Sequence, residues 1–292
     1  MENVLELNKI EKKIGNDKGF IELYNKATQD YEFWSKDFNM HFGYYVSFKT
    51  GFLRRDKMLN EMNDQLFNLL GLDEKKNHIV DLGCGVGGTM NYGIKRYTNL
   101  EITGCTLSPF QVKFGNKFLN NKRAVIKNRD YRNTKFQDNS FDGAMAVESF
   151  CHSGCSKESL QEAFRIIKPN SKLIIADAFV NKKESEMNYL TKTVNHGLCK
   201  YWSLESLGNI KKVEEDMREI GFRNIEIKNI WYRVAPSVLH VPFAISGFIL
   251  RKLFKNEPLK KESIDNMKGS FYALLSALCI QDFGYYIIEA EK

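Results

Sequence analysis

The sequence predicts an α/β fold, in which a mostly parallel sheet of seven strands carries helices on both faces. Between residues 78 and 179, short apolar runs alternate with helical patterns, as in strand–helix–strand units. A glycine-rich run follows the first apolar run directly, where such folds turn from strand to helix. Two further strand patterns begin near residues 224 and 285, and they complete the set of seven.

The composition is that of a globular protein with an ordinary core. Of 292 residues, 43% are hydrophobic and 27% are charged. The formal net charge is +7, but the lysines are scattered and no arginine-rich tract occurs. We therefore expect a solvated basic surface and no nucleic-acid partner. The six cysteines are too few for a disulfide framework in a chain of this length.

The sequence indicates a cytoplasmic protein. Its first residues, Met1-Glu2-Asn3-Val4, are acidic and polar, unlike a signal peptide. A membrane-spanning helix needs roughly 18 consecutive apolar residues. The longest apolar region, 238–253, is interrupted by His240, Pro242 and Arg251, so we expect no spanning segment.

Residues 1–71 are predicted to form a helical N-terminal arm, and residues 72–180 the core. In the arm, apolar residues recur at helical spacing from Met58 to Leu70, and Gly71 is expected to end that helix. The core strands are predicted at 78–82, 101–107, 124–129, 141–148 and 173–179, its helices at 90–96, 109–120 and 157–167, and a turn at 169–170.

Residues 181–292 are predicted to hold lid elements and the last two strands. Polar helical patterns cover 181–200 and 214–220, and strands are expected at 224–231 and 285–290. Between those strands lie the apolar stretch 238–253 and a helix at 267–280. No repeat or long linker divides the chain, so we expect a single domain with a late insertion.

The strongest functional signal is the run Val80-Asp81-Leu82-Gly83-Cys84-Gly85-Val86-Gly87-Gly88. Its glycines permit a tight turn and a close approach of the backbone to a ligand, and the following helix N-terminus favours an anionic group. The run also fits the dinucleotide pattern GxGxxG. However, Asp81 directly precedes the loop, and the second strand ends without the acid that NAD sites use. These features favour S-adenosylmethionine (SAM) over a nicotinamide or flavin cofactor.

Three further segments resemble motifs of the class I SAM-dependent methyltransferases. They are residues 102–111, the step Arg129-Asp130-Tyr131 and the stretch 40–45. Within that class, they are similar to the branch of sterol C24-methyltransferases, tocopherol methyltransferases, cyclopropane-fatty-acid synthases and geranyl diphosphate C-methyltransferases. The resemblance implies a Rossmann-like sheet with an antiparallel last strand, with SAM as cofactor and S-adenosyl-L-homocysteine as product.

The resemblance also implies roles for individual residues. Thr106 would replace the usual ribose-binding acid, Asp130 would accept from the adenine amino group, and a tyrosine of the 40–45 stretch would fold over the cofactor. The complete predicted cofactor set is Tyr44, Tyr45, Asp81, Gly83, Cys84, Gly85, Thr106, Leu107, Gln111, Asp130, Tyr131 and Glu148.

The segment Val147 to His152 follows the fourth strand, where ligands of open α/β sheets bind. His152 is the candidate base, because imidazole accepts a proton near neutral pH. Glu148 is expected to orient it, to take a proton itself, or to stabilise positive charge on a methylated alkene. The alternative is that Glu148 only bonds backbone in its loop. Although Cys151, His152 and Cys155 lie close in sequence, no second ligand cluster accompanies them, so no metal is expected.

Aromatic residues are expected to close an acceptor pocket. The candidates are Phe150, Trp202, Trp231 and Tyr232, with ordinary packing as the alternative for each. The apolar stretch 238–253 has three interpretations: a lid over a dry pocket, a contact with a membrane surface, or a helix covering the sheet. A closing lid favours a small acceptor, because enzymes that modify protein or nucleic acid need an open groove.

The sequence therefore predicts methyl transfer from SAM to a small lipophilic acceptor, such as an isoprenoid, sterol-like or terpenoid carbon. One alternative is O- or N-methylation of a polar natural product with His152 as base. Another, of a different class, is a SAM-binding protein that transfers no methyl group, such as a cyclase.

Overall fold

The computed structural model describes residues 31–292 apart from 73, 76 and 205, together with residues 21, 22, 25 and 28. The strands are β1 (Asn77–Leu82), β2 (Leu100–Thr106), β3 (Ala124–Asn128), β4 (Phe141–Val147), β5 (Ile167–Val180), β6 (Arg223–Asn229) and β7 (Phe283–Glu291). They form one sheet in the order β3-β2-β1-β4-β5-β7-β6. The part of the predicted arm before residue 31 therefore lies outside the described residues, apart from those four positions.

Six strands of the sheet share one direction, and β7 runs against them. β1 pairs in parallel with β2 and β4, and β3 and β5 extend the sheet on either side. β7 is inserted between β5 and β6 and is antiparallel to both. The predicted fold class is confirmed, including its antiparallel last strand. Because β1, β2 and β4 end at the same edge, the residues that follow them meet there.

Helices cover both faces of the sheet. They are α1 (Tyr31–Trp34), α2 (Arg55–Leu70), α3 (Gly88–Arg96), α4 (Pro109–Leu119), α5 (Lys157–Ile166), α6 (Tyr189–Tyr201), α7 (Ile210–Ile220), α8 (Trp231–Val238), α9 (Val241–Phe254) and α10 (Lys261–Leu275). Local signals set their ends. At α4, Ser108 Oγ accepts from the backbone N–H of Gln111 at 3.1 Å, Pro109 occupies the first turn, and Asn120 ends the helix at φ 40°.

Two apolar layers hold the sheet, one on each face. Because side chains alternate along a strand, Val80 of β1 packs into one layer and Ile79 into the other. The Val80 layer includes Leu160 of α5 and Met217 of α7, whereas the Ile79 layer includes residues of α2, α3 and α8. Full burial of one such side chain contributes roughly 1.5–3 kcal/mol. These layers therefore fix the edge at which the strand ends converge.

Two local predictions differ from the structure. The sixth strand ends at Asn229, and Trp231 begins α8, because Asn229 Oδ1 accepts from the Trp231 backbone N–H at 3.0 Å and turns the chain. The predicted turn at Pro169-Asn170 is a bulge inside β5. There, Phe141 pairs with Ile167 but Gly143 pairs with Lys172, and Asn170 takes φ 62°.

The late insertion between β6 and β7 consists of three helices, α8, α9 and α10. The segment Trp231–Phe254, which comprises α8 and α9, is long enough and apolar enough to cross a membrane, judged by length and composition only. The sequence analysis counted uninterrupted apolar residues and expected no spanning segment; by length and composition alone this segment meets the criteria, because its helical residues begin at Trp231, ahead of the interrupted run. The segment is nevertheless anchored in the protein, since Val234, Val238 and Val241 are buried.

Candidate active site

A cavity of about 870 Å³, including its mouth, opens at the carboxyl ends of β1, β2 and β4. The glycine-rich loop forms its floor, and Gly83 takes φ 89° there. A Cβ at Gly83 would collide with the side chain of Ser149, which follows β4. The loop can therefore approach the fourth strand, and a ligand, only because glycine stands at this position.

Ten of the twelve predicted cofactor residues line this first cavity. They are Asp81, Gly83, Cys84, Gly85, Thr106, Leu107, Gln111, Asp130, Tyr131 and Glu148. Tyr44 and Tyr45 do not line it, because the backbone of Tyr44 bonds Met58 and that of Tyr45 bonds Arg233, each at 2.8 Å. Met40 and His41 of the same stretch take the place at the cavity wall.

The end of β2 carries a buried hydrogen-bond chain. Thr106 Oγ1 donates to Gln111 Oε1 at 2.6 Å, and Gln111 Nε2 donates to Thr28 Oγ1 at 3.2 Å. Ser108 Oγ donates to Asn25 Oδ1 at 2.5 Å. Asn25 and Thr28 thus contact the residues that follow β2, next to the first cavity, a contact that the sequence analysis missed. Thr28 and Asn25 carry no sequence signal that could have revealed it.

Asp130 and Tyr131 are each engaged with the protein. Arg132 Nη2 donates to Asp130 Oδ2 at 2.6 Å, and the Arg132 backbone N–H donates to Oδ1 at 2.8 Å. Arg132 Nε also lies 3.0 and 2.9 Å from Oδ1 and Oδ2, so Arg132 holds both oxygens of the Asp130 carboxylate. The Tyr131 hydroxyl donates to the Ser149 carbonyl at 2.6 Å, which fastens the segment after β4 to the one after β3.

Glu148 occupies a strained position at the end of β4, with φ 46°. Its Oε1 accepts from the Phe42 backbone N–H at 2.6 Å and from the Tyr285 hydroxyl at 2.8 Å. Burial raises the pKa of Glu148 to about 8, although these two donors oppose the shift. The carboxyl does bond backbone, as the alternative held, but the partner lies 106 residues away rather than in its own loop.

His152 lies in the short helical turn Phe150–Ser153. It lines the first cavity and also an adjoining apolar cavity, the third of those described below. Burial lowers the pKa of His152 to about 3, so the imidazole is neutral across the physiological range. Phe150 does not line these cavities. Its side chain packs in the core with Leu82, Ala146 and Leu160, because it points to the opposite side of the turn.

Two apolar cavities adjoin the first. The second, of about 740 Å³, lies under α9, and the third, of about 870 Å³, lies between α6, α8 and the start of β7. Of the predicted acceptor residues, Trp202 lines both and Trp231 lines the third, while Tyr232 is exposed. Glu148 and Met40 line all three cavities.

Two more buried carboxyls flank the cavities. Asp81 lines the first, and burial raises its pKa to about 7. Asp177 lines the third, accepts from the backbone N–H groups of Cys151 and Ala178 at 3.0 and 2.8 Å, and has its pKa raised by burial to about 6. Among the described residues, no cluster of three His, Cys, Asp or Glu side chains suits a metal ion.

The comparisons with known proteins agree with this geometry. A methyltransferase domain model matches residues 80–175. A 24-methylenesterol C-methyltransferase of Arabidopsis thaliana is 27% identical over 215 residues, which cover 71% of this chain and 57% of the relative. An O-methyltransferase of Aspergillus sclerotiorum is 26% identical, covering 87% of this chain and 89% of the relative. The chain thus spans little more than half of the sterol-modifying relatives that it matches.

Solved structures share the fold over nearly the whole chain. The geranyl diphosphate C-methyltransferase of Streptomyces coelicolor aligns with a TM-score of 0.70 at 14% identity, covering 94% of this chain and 97% of that one. The cyclase SpnF aligns with a TM-score of 0.68 at 18% identity, covering 92% and 95%. At such identities the likeness shows the fold alone.

Residues 80–175 thus match a methyltransferase domain, and the chain has the fold of the class I SAM-dependent methyltransferases. The predicted class and its cofactor, SAM, are thereby confirmed. Within the class, its similarity extends to sterol methyltransferases and to O-methyltransferases. The residues present suit the cofactor, because glycines bring free backbone close to the cavity, and the carboxyl groups of Asp81 and Glu148 line it, where the positive charge of the cofactor would favour their ionised forms.

Proposed function

We propose that this protein transfers the methyl group of SAM to a small, uncharged, lipophilic acceptor, such as an isoprenoid, sterol-like or terpenoid molecule, at a carbon atom. One observation carries the proposal. Glu148 faces the polar, loop-lined cavity and both apolar cavities at once. A group at that junction is within reach of donor and acceptor together, which is what methyl transfer needs.

The lining of the apolar cavities supports an uncharged acceptor. Aromatic and aliphatic side chains predominate in both, and no Lys or Arg stands among the described residues that line them. Phosphate recognition relies on such cations, on helix N-termini or on a bound metal ion, and the described residues include no cluster of three His, Cys, Asp or Glu that suits a metal ion. The geranyl diphosphate bound by the Streptomyces enzyme would therefore find no cationic side chain here, whereas its hydrocarbon part, or a sterol, would be well accommodated.

The proposed roles follow from charge. Bound SAM supplies an electrophilic methyl group on a positively charged sulfur. A positive charge beside Glu148 would lower the pKa of its carboxyl from about 8 and so favour the ionised carboxylate. Glu148 then stabilises the positive charge that methylation of an alkene leaves on carbon. Because Oε1 is held by two donors, Oε2 is the oxygen that takes the departing proton.

O-Methylation is the second candidate function, and the fungal O-methyltransferase, similar over 87% of this chain, favours it. In that reaction, neutral His152 would accept the hydroxyl proton of the acceptor. The cationic imidazole formed would be stabilised in a cavity that Glu148 and Asp177 also line. N-Methylation of a polar natural product would use the same base.

The test is incubation of the purified protein with methyl-labelled SAM and a lipid extract of the cells that make it, followed by partition between hexane and water. We expect label in hexane, with mass spectrometry and NMR locating a new C–CH₃ group. A methoxy group would replace C-methylation with the second candidate, and label confined to water would overturn the lipophilic acceptor. SAM binding without any transferred label would leave a non-methylating protein, the role suggested by the name of cyclase SpnF.

A further inference from the structure

The late insertion carries a row of exposed apolar side chains along one side. Within α9 and the residues just before it, this outer stripe comprises Leu239, Phe243, Leu250, Leu253 and Phe254. Their exposed fractions run from 48% at Leu239 to 89% at Phe254. The spacing of three, four and seven residues places all of them on one side of the helix. Large apolar side chains thus lie in water along the length of α9, which is uncommon for a soluble surface.

A neighbouring loop extends this apolar surface. His240 Nε2 lies 2.8 Å from the carbonyl oxygen of Phe52, and the rings of the two residues are 6.2 Å apart. In the same loop, Leu53 is 84% exposed, and Phe48 projects fully into solvent from a left-handed backbone position at φ 64°. The loop adds three large apolar side chains next to the stripe.

Basic residues surround the stripe. Arg251 and Lys255 are exposed at the end of α9, and Arg54 and Lys57 are exposed beside the loop. Lys252 pairs with Glu257 at 2.8 Å. Segments 48–57 and 251–257 carry seven Lys or Arg residues and two acidic ones, Asp56 and Glu257, so the rim is positive even though Lys49 pairs with Glu61.

The opposite side of α9 lines the second cavity, which is the acceptor cavity of the proposed function. Val241, Ala244, Ile245 and Phe248 line the second cavity, alternating along the helix with the stripe residues. The Phe33 ring packs against Phe248, with centroids 6.1 Å apart, and holds the helix over that cavity. One helix therefore separates an apolar cavity from an exposed apolar surface.

We propose that the outer stripe and the Phe48–Leu53 loop dock on the surface of an anionic lipid membrane, with α9 lying in the plane of the interface. Insertion of the stripe removes its apolar side chains from water, and the basic rim meets the anionic headgroups. In this arrangement α9 lies on the membrane rather than across it, because Val241 and Phe248 on its other side are buried against the rest of the protein. A second copy of this chain is a poorer occupant, since it would bring two positive rims together.

This docking would present the acceptor cavity to the membrane, from which a lipophilic acceptor could enter. The biological role of the docking therefore rests on the proposed function. Docking itself needs neither SAM nor acceptor. Binding to vesicles and methyl transfer to a detergent-dispersed lipid extract are therefore separate readouts, and failure of one proposal is distinguishable from failure of the other.

The experiment is co-sedimentation of the full chain with phosphatidylcholine vesicles, with and without phosphatidylserine. We expect binding that requires phosphatidylserine and weakens with salt. The variant Phe243→Ser/Leu250→Ser/Phe254→Ser is expected to lose it. The control, Tyr189→Ser/Leu278→Ser/Ile280→Ser, removes three similarly exposed apolar side chains on other elements and is expected to bind normally. Unchanged thermal unfolding of both variants verifies their folding.

The charge contribution is tested by Arg251→Gln/Lys255→Gln. Each cation near an anionic surface changes affinity by about fivefold, so removal of two should lower vesicle affinity by roughly 25-fold. The proposal is overturned if the wild-type chain does not sediment with vesicles, or if the stripe variant sediments as well as the wild type. A dimer in light scattering that the stripe variant converts to a monomer would assign the surface to a second copy instead.

Discussion

The hydroxyl of Tyr285 donates a 2.8 Å hydrogen bond to Oε1 of Glu148. Tyr285 belongs to β7 and pairs across the sheet with Ala178 of β5, whereas Glu148 follows β4. The antiparallel last strand, far from the glycine-rich loop in sequence, thus delivers a donor to the junction of the three cavities. Tyr285 itself lines the third cavity. We infer that it positions the carboxylate and favours its ionised form.

Tyr285→Phe should slow methyl transfer through Glu148. The hydroxyl lowers the pKa of Glu148 against the effect of burial, so its removal moves that pKa further upward. A hydrogen bond to a charged group contributes about 1.5–3 kcal/mol, which predicts a loss in kcat of roughly tenfold to a hundredfold with little change in KM for SAM. The alkaline shift of the kcat–pH profile is the feature that a merely structural effect would not produce.

The matched control is Tyr286→Phe. The Tyr286 hydroxyl donates to Asn181 Oδ1 at 2.6 Å, and its ring lies in the layer on the other face of the sheet. The Tyr286→Phe substitution removes the same hydroxyl oxygen from the adjacent residue of β7 and should leave the kcat–pH profile of the wild type unchanged. Equal profiles for the two variants would contradict the positioning role of Tyr285.

Glu148→Gln should abolish most of the methyl transfer while preserving cofactor binding. The amide keeps the size of the side chain and can still accept the two hydrogen bonds, but it cannot take a proton or carry a negative charge. Loss of a positioned proton acceptor costs roughly 10²–10⁴-fold. Single-turnover rates and SAM titration measure the two effects separately. The exposed Glu186→Gln serves as control, and a Glu148→Gln enzyme with full activity would remove the carboxyl from the reaction.

Local patterns predicted the sheet and the cofactor edge, because each depends on residues close together in the chain. Strand alternation and the glycine run place Asp81, Thr106 and Asp130 at adjacent strand ends in any parallel sheet of this order. Tyr285 could not be predicted in this way. Its contact with Glu148 spans 137 residues and depends on the register of β7 against β5, which no local pattern determines.

The aromatic predictions show a different limit. The 40–45 stretch does reach the first cavity, but through Met40 and His41, while the backbone of Tyr44 bonds to α2 and that of Tyr45 to α8. Which side chain of an irregular segment points inward depends on these long-range backbone bonds. The prediction for Phe150 is wrong for a similar reason. In the tight turn Phe150–Ser153, His152 lines the cavity whereas Phe150 packs in the core.

Gly83→Ala should weaken SAM binding by disturbing the loop. The added Cβ would collide with Ser149, whose movement would displace the adjacent Glu148. Overpacking of this kind costs about 1–3 kcal/mol, so we expect the Kd for SAM to rise by roughly tenfold or more. Isothermal titration calorimetry measures it.

Gly51→Ala is the control for backbone strain. Gly51 also has a positive φ, 74°, but its added Cβ would meet only the Arg54 side chain at 3.7 Å. Both variants therefore carry the conformational penalty, and only Gly83→Ala carries the collision. If both weaken SAM equally, strain rather than the close approach to Ser149 explains the effect.

His152→Gln separates the two candidate reactions. In O-methylation the imidazole takes the acceptor proton, so the variant should lose roughly 10²–10⁴-fold in rate. In C-methylation with Glu148 as the proton acceptor, we expect a much smaller loss, because neutral His152 takes no proton in that reaction. His196→Gln, at an exposed imidazole that bonds Glu184 at 2.9 Å, is the control. A large loss at His152 together with a product bearing a new C–CH₃ group would contradict these roles.

The pH dependence of stability should differ between the free and the SAM-bound protein. Burial raises the pKa of Asp177, Asp81 and Glu148 to about 6, 7 and 8, above their unfolded values of 3.8, 3.8 and 4.5. Stability from these groups is complete below the unfolded values and is lost as pH rises through the folded ones. His152, lowered to about 3 from 6.5, acts oppositely: its contribution is complete above 6.5 and is lost as pH falls from 6.5 through 3. Between pH 6.5 and 8 the carboxyls dominate, and the Tm of the free protein should fall.

Bound SAM brings positive charge to the cavity that Asp81 and Glu148 line, so it should lower their pKa values and release protons. Its stabilising effect should therefore grow as pH rises from 6 to 8. Scanning fluorimetry with and without SAM measures the difference in Tm at each pH, and calorimetry in buffers of different ionisation enthalpy counts the protons released. The Glu148→Gln variant should show a shallower pH dependence than the wild type and release fewer protons. If SAM stabilises both proteins equally at every pH, the buried carboxyls do not respond to the charge of the cofactor, and the electrostatic role assigned to Glu148 is lost.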